Sequence, residues 1–130
     1  ILARQRDQNL LATYLTVEEI EALRDRRVEI LEAQARVTIQ YLDQLRTKLV
    51  GLEKNALKFK PYNRAEDAPA MPEHLAEDLV RTVNGVRSQE RNLETKRTET
   101  HKLREQFGRD IARFKELKKI EAEYARSVQR

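Results

Sequence analysis

The chain has no cysteine and no tryptophan, and only one methionine, three glycines and three prolines among its 130 residues. Without cysteine there is no disulfide framework, no thiol nucleophile and no zinc–thiolate site, and the redox compartment stays open. Few aromatic and turn residues, set against many Leu, Glu, Lys, Arg, Gln and Ala, exclude most all-β and α/β folds. Aromatics make up 5% and charged residues 37%, which leaves little to bury beyond a seam. No run approaches the roughly 18 apolar residues of a transmembrane helix. The opening Ile1-Leu-Ala-Arg-Gln-Arg6 has no apolar stretch after its charges, so no signal peptide is legible, and a start at Ile1 reads as a piece of a longer protein. A dominant charge sign is missing too. The 26 basic and 22 acidic residues leave +4, with 12 and 9 in residues 1–65 and 14 and 13 in the rest. Such mixing marks a solvated helix surface rather than a nucleic-acid stripe.

What is there is helical pattern. Thr16-Val-Glu-Glu19 fits a capping box, in which the Thr16 hydroxyl accepts from the Glu19 amide and the Glu19 carboxylate reaches back to the Thr16 amide. From Leu31 through Ala35, Thr38, Leu42, Leu45, Leu49, Leu52 and Ala56 to Phe59 the steps alternate four and three residues. That is the 3.5-residue period of a left-handed coiled coil. Ile20 and Val28 begin the stripe, while Leu23 and Ile30 belong to a neighbouring register, which reads as a stutter before Leu31. The helix should stop before Pro61, because proline disfavours helical geometry in Lys60 and has no amide to donate. All three prolines fall in 60–72, a long connection for two helices. Pro72 suits the first position of a second helix. That helix carries Leu75, Leu79, Val83, Val86, Leu93, Leu103, Phe107, Ile111, Phe114, Leu117, Ile120, Tyr124 and Val128.

The fold class expected is therefore all-α: a long antiparallel coiled-coil helical hairpin with a short extra N-terminal helix. Residues 1–15 form the short helix, 16–59 helix one, 60–72 the Pro-rich loop and 73–129 helix two, as one elongated domain. A hairpin about a loop centred near residue 66 sets Leu52 opposite Val80, Leu45 opposite Arg87, Leu31 opposite His101 and Arg24 opposite Gly108. It also sets Leu10, Leu11 and Leu15 near Leu117, Ile120 and Tyr124, and brings Gly51 almost opposite Gly85. Ile30, Val37, Ile39 and Tyr41 lie off the seam, and a homodimer would cover them.

Chemistry-bearing constellations are scarce. His74 and His101 lack the convergent spacing of a metal site, and each has a carboxylate four residues on. Paired carboxylates such as Glu18/Glu19 and Glu77/Asp78 suit helix starts. No serine sits in a nucleophile elbow and no glycine cluster cradles phosphate. No catalytic, metal or cofactor-binding residue is assigned, no cofactor is expected, and the chain reads as no enzyme. The candidate site is the tip: Lys58, Phe59, Lys60, Tyr62 and Arg64 put cations beside aromatics on a loop carried by helices. The tip would dock a protein partner, unless Phe59 merely ends the seam, Tyr62 folds over it and the lysines are solubilising; the alternative ligand is nucleic acid bound at the same basic tip.

Several runs resemble a group of proteobacterial envelope proteins in which a coiled coil follows a short domain of unknown function. They are Arg6-Asp7, Leu10-Leu-Ala-Thr-Tyr14, Val17-Glu-Glu-Ile20, Arg24-Asp-Arg-Arg27 and Asp110-Ile-Ala-Arg-Phe-Lys-Glu-Leu-Lys118. The resemblance implies an exported protein in the periplasm or cell envelope; the cytoplasm is the alternative. It implies no activity or site residue. The expectation is thus a non-catalytic scaffold or oligomerisation module of a larger exported protein. Its partners would be proteins, a second copy among them, with no small-molecule substrate and with nucleic acid and membrane surface disfavoured.

Overall fold

The computed structural model describes residues 2–129; Ile1, where the expected N-terminal helix begins, and Arg130 lie outside the described residues. The chain is all-helical, with α1 (Leu2–Thr13), α2 (Val17–Ala56) and α3 (Glu73–Gln129). Among the described residues no strand forms, only an isolated bridge between Lys60 and Ala70. Contacts divide the chain into two compact units: Ile1–Glu32 with Thr98–Arg130 (unit 1), and Ala33–Arg97 (unit 2). In each, α2 packs closely against α3.

Burial along both helices follows the four-three alternation. On α2 the covered positions run Val17, Glu21, Arg24, Val28, Leu31, Ala35, Thr38, Leu42, Leu45, Leu49, Leu52 and Ala56. Ahead of Leu31 the off-phase Leu23 is covered, as the expected shift has it, whereas Ile30 is exposed. Ile20 and Leu23 are covered as well because α1 packs on that face and widens the buried sector. On α3 the same spacing runs from Leu75 and Leu79 through Thr82, Val86, Gln89, Leu93, Lys96, Thr100, Leu103, Phe107 and Asp110 to Phe114 and Leu117. Five of these positions are polar, which hides the period from a reading based on hydrophobicity.

Unit 2 is a helical hairpin with a thin core of Leu42, Ala56, Leu75 and Leu93. Two buried threonines complete it, Thr38 and Thr82. Thr38 returns its hydroxyl proton to the Gln34 carbonyl at 3.1 Å, which satisfies it inside its own helix, and accepts from Asn92 Nδ2 at 3.5 Å. The Arg46 guanidinium meets Glu90 at 3.3 Å. A Cβ on Gly85 would sit 3.4 Å from a Leu45 methyl, so Gly85 lets Leu45 approach; Gly51 faces open space. The glycine pair is thus not a close approach of two backbones. Val80 is 60% exposed and does not meet Leu52, because the covered face of α3 passes through Leu79 and Thr82 instead.

Unit 1 is built on Ile20, Phe107 and Phe114, with Leu10, Leu11, Tyr14, Val17, Leu23, Leu103 and Ile111 packed around them. Full burial of Phe114 contributes on the order of 2–3 kcal/mol. Arg27 lies over the Phe107 ring at 5.6 Å, and Arg104 bonds Glu32 at 2.7 Å. Arg113 grips Asp7 with two bonds, 2.9 and 2.7 Å, and so holds α1 against α3. The register of α1 differs from expectation. Leu15 is 77% exposed, and Ile120 and Tyr124 are exposed too, whereas Leu10, Leu11 and Tyr14 pack near Phe107 and Ile111. The bend at 14–16 turns Leu15 outward. Thr16 caps α2 by accepting from the Glu19 amide at 3.3 Å, while the Glu19 carboxylate takes the Leu15 amide at 2.8 Å rather than that of Thr16. His101 and Gly108 are exposed and do not face Leu31 and Arg24 across a seam.

Candidate functional site

Residues 57–72 are where the chain turns back. The last i→i−4 bond runs from the Leu57 amide to the Glu53 carbonyl, and the Lys58 and Phe59 amides then reach only three residues back, to Asn55 and Ala56. This tightening ends α2 at Ala56, three residues before Phe59. The loop is held by its own bonds. The Lys60 amide donates to Pro69 O at 2.9 Å and the Asn63 amide to Phe59 O at 2.8 Å. The Asn63 carboxamide oxygen accepts from the Ala65 amide at 3.0 Å, an Asx turn. Lys60 Nζ donates to Glu66 O at 3.0 Å. At the far side the Pro72 carbonyl accepts from Leu75 and Ala76, which makes Pro72 the cap of α3 rather than its first residue. The length of the connection therefore reflects an internally bonded loop, not slack chain.

The five candidate residues separate on this frame. Lys58 and Arg64 are exposed and make no ion pair among the described residues. Tyr62 is 60% exposed. Phe59 is half-buried, and Lys60 is committed to Glu66 by its ammonium. Sequence reasoning missed Leu57, which is 62% exposed immediately after α2. Leu57 and Tyr62 wall a cleft of about 280 Å³ with Ala56 and Leu79 on its other sides and Glu53 at its rim. Val50, one heptad before Leu57 on α2, is exposed as well. The signal that could have found Leu57 is its step off the stripe: it falls between Ala56 and Phe59 and cannot share their face.

Several of the remaining titratable groups form structural pairs. His101 Nε2 lies 2.8 Å from Glu105, and His74 is exposed in the first turn of α3. Among the described residues no group of three or more His, Cys, Asp or Glu is placed to hold a metal ion. Arg24 bonds Asp25 at 3.0 Å. In the basic stretch 113–119, Arg113 serves Asp7 and Glu116, and Lys118 serves Glu121 while lying over Phe114. The hydrogen bonds that Arg113 donates hold the Asp7 carboxyl below its ordinary range, and donating to Asp7 and Glu116 raises the guanidinium. In unit 1 a polar groove of about 480 Å³ lies between α1 and α3, with Arg6, Tyr14, Arg109 and Asp110 in its lining. No helix is long and apolar enough to cross a membrane among the described residues.

Compared with family models, curated proteins and solved structures, the chain matches none. The site is therefore read from its own geometry.

Proposed function

We propose that the chain is a non-catalytic protein-interaction module. It is an antiparallel coiled-coil hairpin with a short N-terminal helix, which docks a protein partner at its loop end and associates with a second copy of itself. The four-three spacing of covered positions on α2 and α3 supports the coiled-coil reading. The docking reading rests on one observation: Leu57 and Tyr62 stand exposed on either side of one cleft, beside a loop held by its own hydrogen bonds. A preformed loop loses little entropy on binding, and a tyrosine beside a concavity is of a type enriched among binding anchors. Lys58 and Arg64 favour a partner with acidic groups around that anchor. The reading needs no cofactor and no small-molecule substrate. The resemblance to envelope proteins favours the periplasm as the compartment, which fractionation of the producing cells tests.

Capture from cell extract with wild type and with Leu57→Ser/Tyr62→Ser, followed by titration of the purified partner, tests the docking surface. Binding weaker by about tenfold or more in the variant is expected. Equal affinity overturns it. The same unpaired Lys58 and Arg64 beside Tyr62 support nucleic acid as the second reading. That binding would weaken steeply with salt and survive Leu57→Ser.

A further inference from the structure

We infer that the groove between α1 and α3 in unit 1 binds a phosphate monoester of a small hydroxylated molecule. The inference goes beyond the docking and self-association proposed above and rests on neither. One wall of the groove runs from Arg6 to Tyr14 and the other from Gln106 to Asp110, around about 480 Å³. Arg6 and Arg109 line it from opposite walls; both are exposed, and neither makes an ion pair among the described residues. The carboxylates beside them are engaged elsewhere. Asp7, next to Arg6, takes two bonds from Arg113, and Glu105, one turn before Arg109, lies 2.8 Å from His101. Asp110, half-buried in the same lining, makes no hydrogen bond or ion pair among the described residues. Two guanidinium groups against one carboxylate leave the groove positive.

That pattern selects the ligand. A guanidinium fork binds a carboxylate or a phosphate through paired bonds. One fork uses both oxygens of a carboxylate. A phosphate monoester has three terminal oxygens and close to two negative charges, so it can accept from both walls at once. The Asp110 carboxylate only accepts, so it repels bare phosphate and attracts a hydroxyl carried beside the phosphate. Asn9 and Gln106 offer amides, and Tyr14 a phenol, to the same hydroxylated body. The volume of the groove leaves room for that body as well as for the anion.

The test titrates the full, isotope-labelled chain with inorganic phosphate, glycerol phosphate and acetate at constant ionic strength, read by amide chemical shifts. Shifts concentrated in 6–14 and 106–110 are expected, with glycerol phosphate bound more tightly than inorganic phosphate and acetate more weakly. Arg6→Gln/Arg109→Gln, at exposed positions without ion pairs, should leave helicity by circular dichroism unchanged and weaken phosphate binding by about tenfold or more. Asp110→Asn should strengthen binding of inorganic phosphate and remove the preference for glycerol phosphate, a change of sign between variants that loss of structure does not produce. Absence of binding, shifts centred on Lys58 and Arg64 instead, or unchanged affinity in the arginine variant overturns the inference. Acetate bound as tightly as phosphate overturns the ligand class. An unchanged preference in Asp110→Asn overturns the hydroxylated body. None of these outcomes touches docking at the loop end, which the Leu57 and Tyr62 variants read separately.

Discussion

Unit 1 and unit 2 solve the same problem with different material. Unit 1 has three helical segments and an aromatic centre, Phe107 and Phe114 closing on Ile20. Unit 2 has two segments and no buried aromatic, and its seam includes Thr38, Thr82 and Ala56. A third helix lets unit 1 bury side chains on a widened face, whereas unit 2 relies on regular spacing and on small seam residues such as Thr38, whose hydroxyl is satisfied within its own helix. The lesson is that a chain with 37% charged residues reaches a packed centre only where a third element joins the pair.

The most forceful way to break the contrast is Phe114→Ala. The side chain is 1% exposed, so its loss costs about 3–5 kcal/mol by denaturant unfolding. Hydrogen exchange should rise more in unit 1 amides than in unit 2. A uniform rise would mean that the two units do not differ in what holds them. Thr16→Ala comes next, removing the cap of α2 at a cost of about 1 kcal/mol. Gly51→Ala, on an exposed face with nothing within 4 Å, should stabilise unit 2 by about 0.8–1 kcal/mol. Thr82→Val sharpens the account of the polar seam: exchanging the hydroxyl for a methyl group at a 3% exposed position should raise the thermal midpoint, by about 0.5–1 kcal/mol in stability. A fall instead would show that the hydroxyl carries a structural bond.

The smallest effect is the pH dependence of the Asp7–Arg113 pair. The folded Asp7 carboxyl titrates below its ordinary value of 3.8. Its contribution is therefore complete above that value and is lost as pH falls from there through the lower folded value. Asp7→Asn should remove this acid-side loss from a plot of unit 1 stability against pH, and leave the neutral-to-alkaline limb parallel to that of wild type.

How much of this was legible in the residues differs along the chain. From Leu31 to Ala56 the stripe and the buried face coincide, because the seam residues there are mostly leucine. On α3 the period passes through Thr82, Gln89, Lys96, Thr100 and Asp110, and a pattern sought in apolar letters loses it. Pairings derived from a single loop centre failed at Val80 and Leu15 for a related reason. The loop takes up its length in hydrogen bonds of its own, and α1 bends at 14–16, so sequence distance from residue 66 does not translate into opposition. At the loop end, Tyr62, Lys58 and Arg64 were visible as types, but Phe59 is half-buried, Lys60 is bonded to the loop, and Leu57 was legible only as a step off the stripe.

The packing of α2 on α3 in unit 2 is the feature on which the proposed interaction module depends, and cross-linking tests it most directly. With no native cysteine, a short bis-maleimide reports only the introduced pair. Leu45→Cys/Gly85→Cys should link within one chain in high yield, since Leu45 touches the Gly85 position, and Gly51→Cys/Gly85→Cys should not, since Gly51 faces open space. Efficient linking of the second pair, or none of the first, would contradict the account.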